Sequence, residues 1–397
     1  MDDCATPWIR GTQAFVIGNA LITDSGGSSS TVTACAMLLD APVIPLLPRP
    51  LAAPPQNFSP PTFYIADAGV KGAGMFAARD IPAGGLILVD RPIAVVPSDV
   101  DAPWKREAFD ALLPRISQIS RDALLALANC KPLSECPVVE GIALTNAVQI
   151  DLPVPLLAAL QEYGGVFPNV SRANHRFSIS PISLARAAIN PDFCSCGLNA
   201  SVKWDLKSFS VSMYALRPIR AGDEIVQQYV DVLSPRAERR AHLARYDFEC
   251  MCKHCDLPDE DAVTRSDAAR AELRNWRHLQ PRFLPWSTDM CRADDAIIVS
   301  NLRALALIEQ EGLYGLQVPF MEEIALSYAV LGDESRFREW AQQVVDLCAG
   351  QDPERSARFA GWIADPQSYK QWGWRAKQRL LLDKQKDLVD VDISIPW

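Results

Sequence analysis

An α+β chain, β-rich in its first half and helical in its last third, is predicted from three observations. Short apolar runs broken by glycine and proline begin at Phe63 (FYIADAGVKGAGMFAARDIPAGGLILVDRPIAVV) and return at Ala200–Trp204 and Ser208–Leu216, the texture of short strands joined by turns. From about residue 262 to the end, apolar residues recur at helical spacing, as in Ala296–Glu311, Val318–Leu331 and Glu334–Cys348. The chain has 397 residues, 49% of them apolar, which is enough for two or three globular domains with a buried core.

Residues 1–61 are rich in Pro, Ala and Ser, with SGGSSSTVT and PPQNFSPP as the clearest stretches, and are expected to be irregular or disordered. Residues 62–256 form the expected core. In it, two β-type runs flank a glycine-rich turn near Gly72, and Ile81-Pro-Ala-Gly84 marks a second turn. Residues 101–163 carry Phe109, Leu112, Leu113 and Ile116, then Leu124, Leu125 and Leu127, a spacing that predicts a helical insert. Pro218–Val226 reads as a further strand entered through a turn, and Pro235–Tyr246 as a polar helix. The helical region, 262–397, breaks at Gly332-Asp333; its paired helices resemble a TPR-like array, although no clean repeat can be counted.

The 48 acidic and 39 basic residues leave a formal charge of −9, which argues against a direct nucleic-acid binder and suits a basic peptide as partner. The start, Met-Asp-Asp-Cys, lacks the regions of a secretory signal, and Asp40, Pro42 and Pro45 interrupt the apolar stretch Ala34–Leu47. No membrane span is therefore expected. Of the 11 cysteines, three crowd into Cys250-x-Cys252-x-x-Cys255, a spacing that in a reducing compartment reads as metal binding. They can supply three corners of a tetrahedral zinc site, and a closed site needs a fourth. Cys4, Cys35, Cys130, Cys136, Cys291 and Cys348 are scattered and read as small buried hydrophobes.

One motif is cut in two. Ser171-Arg-Ala-Asn174-His175 stops, and Ser195-Cys196-Gly-Leu-Asn199-Ala200 resumes after residues 176–194. Joined, the halves read SRANHSCGLNA, which resembles the Asn-His-Ser-Cys-x-Pro-Asn segment of SET-domain protein-lysine methyltransferases, with Leu198 in place of the Pro. Three further blocks occur in the family's order: Lys71-Gly72-Ala73-Gly74-Met75-Phe76, Gly222-Asp-Glu-Ile-Val-Gln-Gln-Tyr229-Val-Asp231, and Tyr246-Asp-Phe248-Glu-Cys250-Met-Cys252-Lys-His254-Cys255. The resemblance covers roughly Tyr64–Asp256 and is similar to the SET-and-MYND type without its MYND module.

The resemblance implies a β-clip core threaded as a pseudoknot, a post-SET zinc site and S-adenosylmethionine as cofactor. It implies that Lys71, Gly72, Ala73, Gly74, Met75, Asn146, Asn174, His175 and Phe248 meet the cofactor. Tyr229 and Tyr246 would be the catalytic residues lining the lysine channel. Cys196 would complete the zinc site with Cys250, Cys252 and Cys255, and His254 is the rival fourth ligand. A lysine-containing protein or peptide, histone or non-histone, is the implied substrate of a monomer that is nuclear, cytoplasmic or both.

The 19 residues between the two halves, Arg176 to Cys194, show neither strand alternation nor an amphipathic stripe. Their borders could be written with splice donor and acceptor codons, so a short intron retained in frame is expected, with a genuine surface loop as the alternative. A competing alignment sets Phe193-Cys194 opposite the Asn-His pair. Two rival functions follow: a catalytically impaired SET module acting as a scaffold, and a SET fold recruited to small-molecule metabolism.

Overall fold

Eleven strands and twelve α-helices are seen in a computed structural model, which describes residues 8–10, 13–23, 32–68, 72–98, 100, 102–153, 162–173, 196–227, 231–244, 250 and 252–392. The strands are β1 (Trp8–Arg10), β2 (Gln13–Thr23), β3 (Val32–Asp40), β4 (Phe63–Asp67), β5 (Ala73–Ala77), β6 (Leu86–Asp90), β7 (Ala94–Pro97), β8 (Val148–Ile150), β9 (Tyr163–Val166), β10 (Ala200–Asp205) and β11 (Ser210–Ala215). They form a six-stranded sheet in the order β1-β2-β3-β7-β9-β8, a three-stranded sheet β10-β11-β6 and the hairpin β4-β5. One apolar cluster fills the space between them, with Met37, Leu39, Met75, Ile87, Val95, Phe167, Val211, Met213 and Ile225 all buried.

The expectation for residues 1–61 is corrected by the first three strands. β2 and β3 pair antiparallel from Phe15↔Asp40 to Thr23↔Val32, and β3 pairs parallel with β7 through Ala36↔Ala94 and Met37↔Val95. Phe15, Cys35, Leu38 and Leu39 are 0% exposed. QAFVIGNALIT and VTACAMLLD are rich in apolar and β-branched residues, which suits a buried strand. The Ser/Gly-rich composition on which the expectation rested belongs to residues 24–31, between them. From Leu47 to Pro61 the backbone is irregular, as predicted. A second correction concerns Pro218–Val226, which forms only the isolated bridges Ile81↔Ile219 and Phe76↔Glu224 rather than a strand.

The helical insert is α1 (Lys105–Asp110), α2 (Gln118–Leu125) and α3 (Val138–Asn146). Phe109, Leu112, Val139 and Ile142 bury one face of the insert against Phe15, Leu38 and Val96 of the large sheet. α4 (Arg236–Ala244) is the polar helix. The helical region consists of α5 (Glu260–Arg274), α6 (Trp276–Leu279), α7 (Phe283–Thr288), α8 (Ala296–Glu311), α9 (Gln317–Leu331), α10 (Glu334–Cys348), α11 (Pro353–Ala364) and α12 (Trp374–Asp392). Gly312 and Gly332 end α8 and α9 in left-handed conformations, φ +66° and +76°, and Asp333 and Asp352 cap α10 and α11. The region rests on the β core: the Gln317 side chain donates to Leu216 O at 2.7 Å, and a Cβ on Gly350 would fall 1.9 Å from the Tyr214 ring. Among the described residues no helix is long and apolar enough to cross a membrane.

Candidate functional site

Asn199 ties the second half of the split motif to the strand-like segment before Tyr229. Its Oδ1 accepts from Val226 N at 2.8 Å and its Nδ2 donates to Glu224 O at 2.8 Å. The backbone N–H groups of Asn199 and Ala200 donate to Val226 O at 3.3 and 3.2 Å. A buried side chain that satisfies one donor and one acceptor of a neighbouring chain crossing fixes that crossing in register.

The segment before Asn174 is held just as closely. Gln227 Nε2 donates to Val170 O and Ala173 O, each at 3.2 Å. Ser171 Oγ donates to Asn146 O at 3.0 Å and accepts from Phe167 N at 3.0 Å. Asn146 Nδ2 donates to Ala128 O and Ile142 O at 2.6 and 2.7 Å, fastening the end of α3. β5, which carries the second glycine of the Gly-x-Gly block, packs against the turn Val170–Arg172. Gly72 has φ +70° and an exposed, open surface where a Cβ would stand. Met75 has its side chain in the core at 0% exposure, and its carbonyl accepts from Ile225 N at 2.8 Å. Its side chain therefore belongs to the packing.

The described flanks of three blocks, Ala73–Ala77, Val170–Ala173 and Ile225–Gln227, thus converge, with Asn146 beside them. Lys71, Asn174, His175, Tyr229, Tyr246 and Phe248 lie outside the described residues, as does the insertion 176–194.

Cys196, Cys250, Cys252 and Cys255 come together as one cluster. Their sulfurs lie within 4.8 Å of one another and all four residues are 0% exposed. Cys196 Sγ is 3.5 Å from Cys255 Sγ and 4.0 Å from Cys250 Sγ. Four thiolates on one zinc at about 2.3 Å stand roughly 3.8 Å apart, so the group fits a closed tetrahedral site. The same contacts push the Cys196 thiol up and pull the Cys255 thiol well down, the latter aided by the Arg239 guanidinium. Arg239 is fully buried on α4 and donates to Ser234 O at 2.6 Å, His254 O at 3.0 Å and Cys255 Sγ at 3.7 Å. A buried cation here offsets the negative charge of thiolate ligands.

His254 is not among the four. Its Nδ1 stands 3.8 Å from Glu311 Oε2, and its Nε2 faces the glycine pair Gly197 and Gly312. Burial, then the Arg270 charge, pushes its imidazole down to about 4, so it is neutral at physiological pH. The structure thus brings Cys196, the expected fourth member, to the other three cysteines, and not the rival His254. The two glycines are needed for contact: a Cβ on Gly312 would lie 2.9 Å from Gly197 Cα.

A family model described as the SET domain matches residues 72–230. This is a SET-domain protein. It is similar to the histone-lysine N-methyltransferase set5 of Schizosaccharomyces pombe, 24% identical over 331 residues, 82% of this chain and 91% of that protein. It is also similar to the histone-lysine N-methyltransferase SMYD3 of Mus musculus, 30% identical over 125 residues, 31% of this chain and 23% of the relative. A SET domain-containing protein of Dictyostelium discoideum shares 46% identity over 50 residues, 12% of this chain and 13% of that protein.

In the SET core one positioning residue escaped sequence reasoning. Asp90, 7% exposed at the end of β6, accepts at Oδ2 from Asn169 N at 2.7 Å and Val170 N at 2.9 Å, so it holds the turn that leads to Asn174. An acid ending the apolar run LILVD was the available signal. Burial pushes its carboxyl up to about 6 from an ordinary 3.8, against backbone donors that pull it down. Between about pH 4 and 6 the native chain therefore holds a proton here that the unfolded chain has lost, and stability falls as pH rises through that window. Relative to Asp90→Asn, the wild-type protein should lose up to about 1.4 kcal/mol per pH unit there. Urea midpoints of the two proteins that run parallel from pH 4 to 7 would contradict this.

Proposed function

We propose that the chain is an S-adenosylmethionine-dependent methyltransferase acting on lysine of a protein or peptide. The observation that carries the reading is the convergence of Ala73–Ala77, Val170–Ala173 and Ile225–Gln227, together with the four-cysteine cluster Cys196, Cys250, Cys252 and Cys255. The names of set5 and SMYD3 support a histone or other protein as the substrate.

S-adenosylmethionine would supply a sulfonium methyl for in-line transfer to a neutral amine. Ala73 and Gly74 would border it on one side, and Asn174 and His175, reached from Ala173, would bind its polar groups. Phe248, leading into Cys250, would cover the adenine. Tyr229 and Tyr246 would form the lysine channel. Such a site needs little acid–base machinery: it orients the amine and excludes water, and desolvation favours loss of the ammonium proton. A zinc ion held by the four cysteines would staple the segment that carries Tyr246 and Phe248 to the start of β10.

Tyr229→Phe keeps the ring and removes one hydroxyl. Cofactor affinity is expected to stay within about threefold while turnover or the product's methylation state changes, since only positioning at the reacting centre is lost. An unaltered rate and product pattern would remove Tyr229 from the site. The insertion favours a second reading, an impaired SET module acting as a scaffold. An error of about 1 Å in a positioning group can cost on the order of a hundredfold in rate, although closing a longer loop costs little. Transcripts that keep the codons for residues 176–194 in every copy would exclude a retained intron.

A further inference from the structure

Helix α4 holds one cysteine of the cluster at two points. Arg236 and Arg239 stand three residues apart and so share a face of the helix. Arg236 Nε donates to the Cys255 carbonyl at 2.5 Å, while Arg239 Nη2 donates to Cys255 Sγ at 3.7 Å and to the His254 carbonyl at 3.0 Å. The other arm of the same guanidinium, Arg239 Nη1, donates to Ser234 O at 2.6 Å. Ser234 closes a turn: its N–H donates to Asp231 O at 3.1 Å, and the Leu233 N–H donates to Asp231 Oδ1 at 2.9 Å. One buried cation thus joins the cysteine cluster to the turn Asp231–Ser234.

Arg239 is 0% exposed, and a buried guanidinium is stable only beside negative charge. Asp267 Oδ1 lies 3.9 Å from Arg239 Nη1, beyond hydrogen-bond reach, and accepts instead from Arg236 N at 2.7 Å. Glu311 pairs with Arg270 at 2.9 Å. Four neutral thiols would offer Arg239 no charge. A divalent ion on four thiolates would, because the complex remains anionic. We infer that Arg239 is a positioning residue for a metal held by Cys196, Cys250, Cys252 and Cys255: it orients Cys255 towards the ion, offsets the charge of the loaded site and holds the turn Asp231–Ser234 with the same guanidinium. The inference rests on the cluster being a zinc site and requires no methyl transfer. Partners of this kind typically change metal affinity by about 10–100-fold when they are removed.

The test uses the full chain loaded with zinc, without S-adenosylmethionine. Competition with a chromophoric chelator reads zinc affinity, and hydrogen exchange reads the amides of Leu233 and Ser234. Arg239→Met is expected to bind zinc at least about tenfold more weakly and to exchange both amides at least about fivefold faster. Arg239→Lys keeps the charge but cannot span Ser234 O, His254 O and Cys255 Sγ at once. Its zinc affinity should lie between those of wild type and Arg239→Met, with both amides exchanging faster than in wild type, a check that stands if Arg239→Met fails to fold. A role in packing alone would leave zinc affinity unmoved. A folded Arg239→Met that holds zinc as wild type does, or an Arg239→Lys that matches wild type in both readings, would overturn the inference. So would weaker zinc binding with unchanged exchange at Leu233 and Ser234, because the guanidinium would then not join the two. No zinc uptake by wild type would remove the zinc site and the inference with it. Because no methyl transfer is read, each of these failures is distinguishable from failure of the methyltransferase reading.

Discussion

Replacing Cys252 with serine is expected to reduce the zinc content of the purified protein from about one equivalent to a small fraction, and to lower its melting temperature by roughly 10 °C or more. Among the described residues, the cluster of Cys196, Cys250, Cys252 and Cys255 includes Leu243 as its only carbon side chain of any size, so the described packing offers little apolar burial to stand in for a lost metal. Structural zinc sites carry apparent binding free energies of about 10–16 kcal/mol in small peptides, and much of that becomes folding free energy. A loss of even about 3–5 kcal/mol lowers the melting temperature of a domain of this size by roughly 10 °C. Serine is nearly isosteric, so the effect reads ligation rather than packing. Unchanged zinc by elemental analysis would remove Cys252 from a metal site.

Glu311→Ala should be almost as damaging, although it touches neither cofactor nor cluster. Glu311 pairs with Arg270 at 2.9 Å, with the two side chains 4% and 0% exposed, and accepts from Ser266 Oγ at 2.7 Å. Arg270 in turn donates to Val232 O, just beyond the segment that carries Tyr229. Truncating the acid strands a buried guanidinium, a change that costs about 3–5 kcal/mol where one partner of a buried pair is removed. Arg270→Met with Glu311→Leu should recover much of the loss, because two apolar groups in place of a buried pair are often neutral. A Glu311→Ala variant within about 1 kcal/mol of wild type in urea unfolding would show that the pair does not hold the helical region to the SET core.

The helices from 260 onward were legible because their periodicity is long and their caps are local: Asp333 begins α10 and Gly332 ends α9 within four residues of the sequence. The Cys cluster was legible in part, since three of its cysteines are close in sequence, while Cys196 required the family resemblance to join them. β2 and β3 were not legible, because their buried strands are separated by a Ser/Gly-rich stretch that dominates the composition of the region. Pro218–Val226 misled for the opposite reason. Its apolar residues Ile219, Ile225 and Val226 are buried, but its partners are single bridges and the side chain of Asn199, so burial alone did not make a strand. Asp90, Ser171 and Gln227 act through hydrogen bonds between residues 25 to 80 positions apart, a spacing that no local pattern encodes.

The function proposed is the binding of S-adenosylmethionine by this SET core and the passing of its methyl group to lysine. It is tested most directly by transfer of tritiated methyl from S-adenosylmethionine to core histones and to a lysine-containing peptide library, using the full chain and a form lacking residues 176–194. Lysine-borne label is expected with the shortened form and little or none with the full chain. Full-chain activity equal to that of the shortened form would make the insertion a tolerated loop. Absence of label and of cofactor binding in both forms, with zinc still in place, would contradict the methyltransferase reading itself.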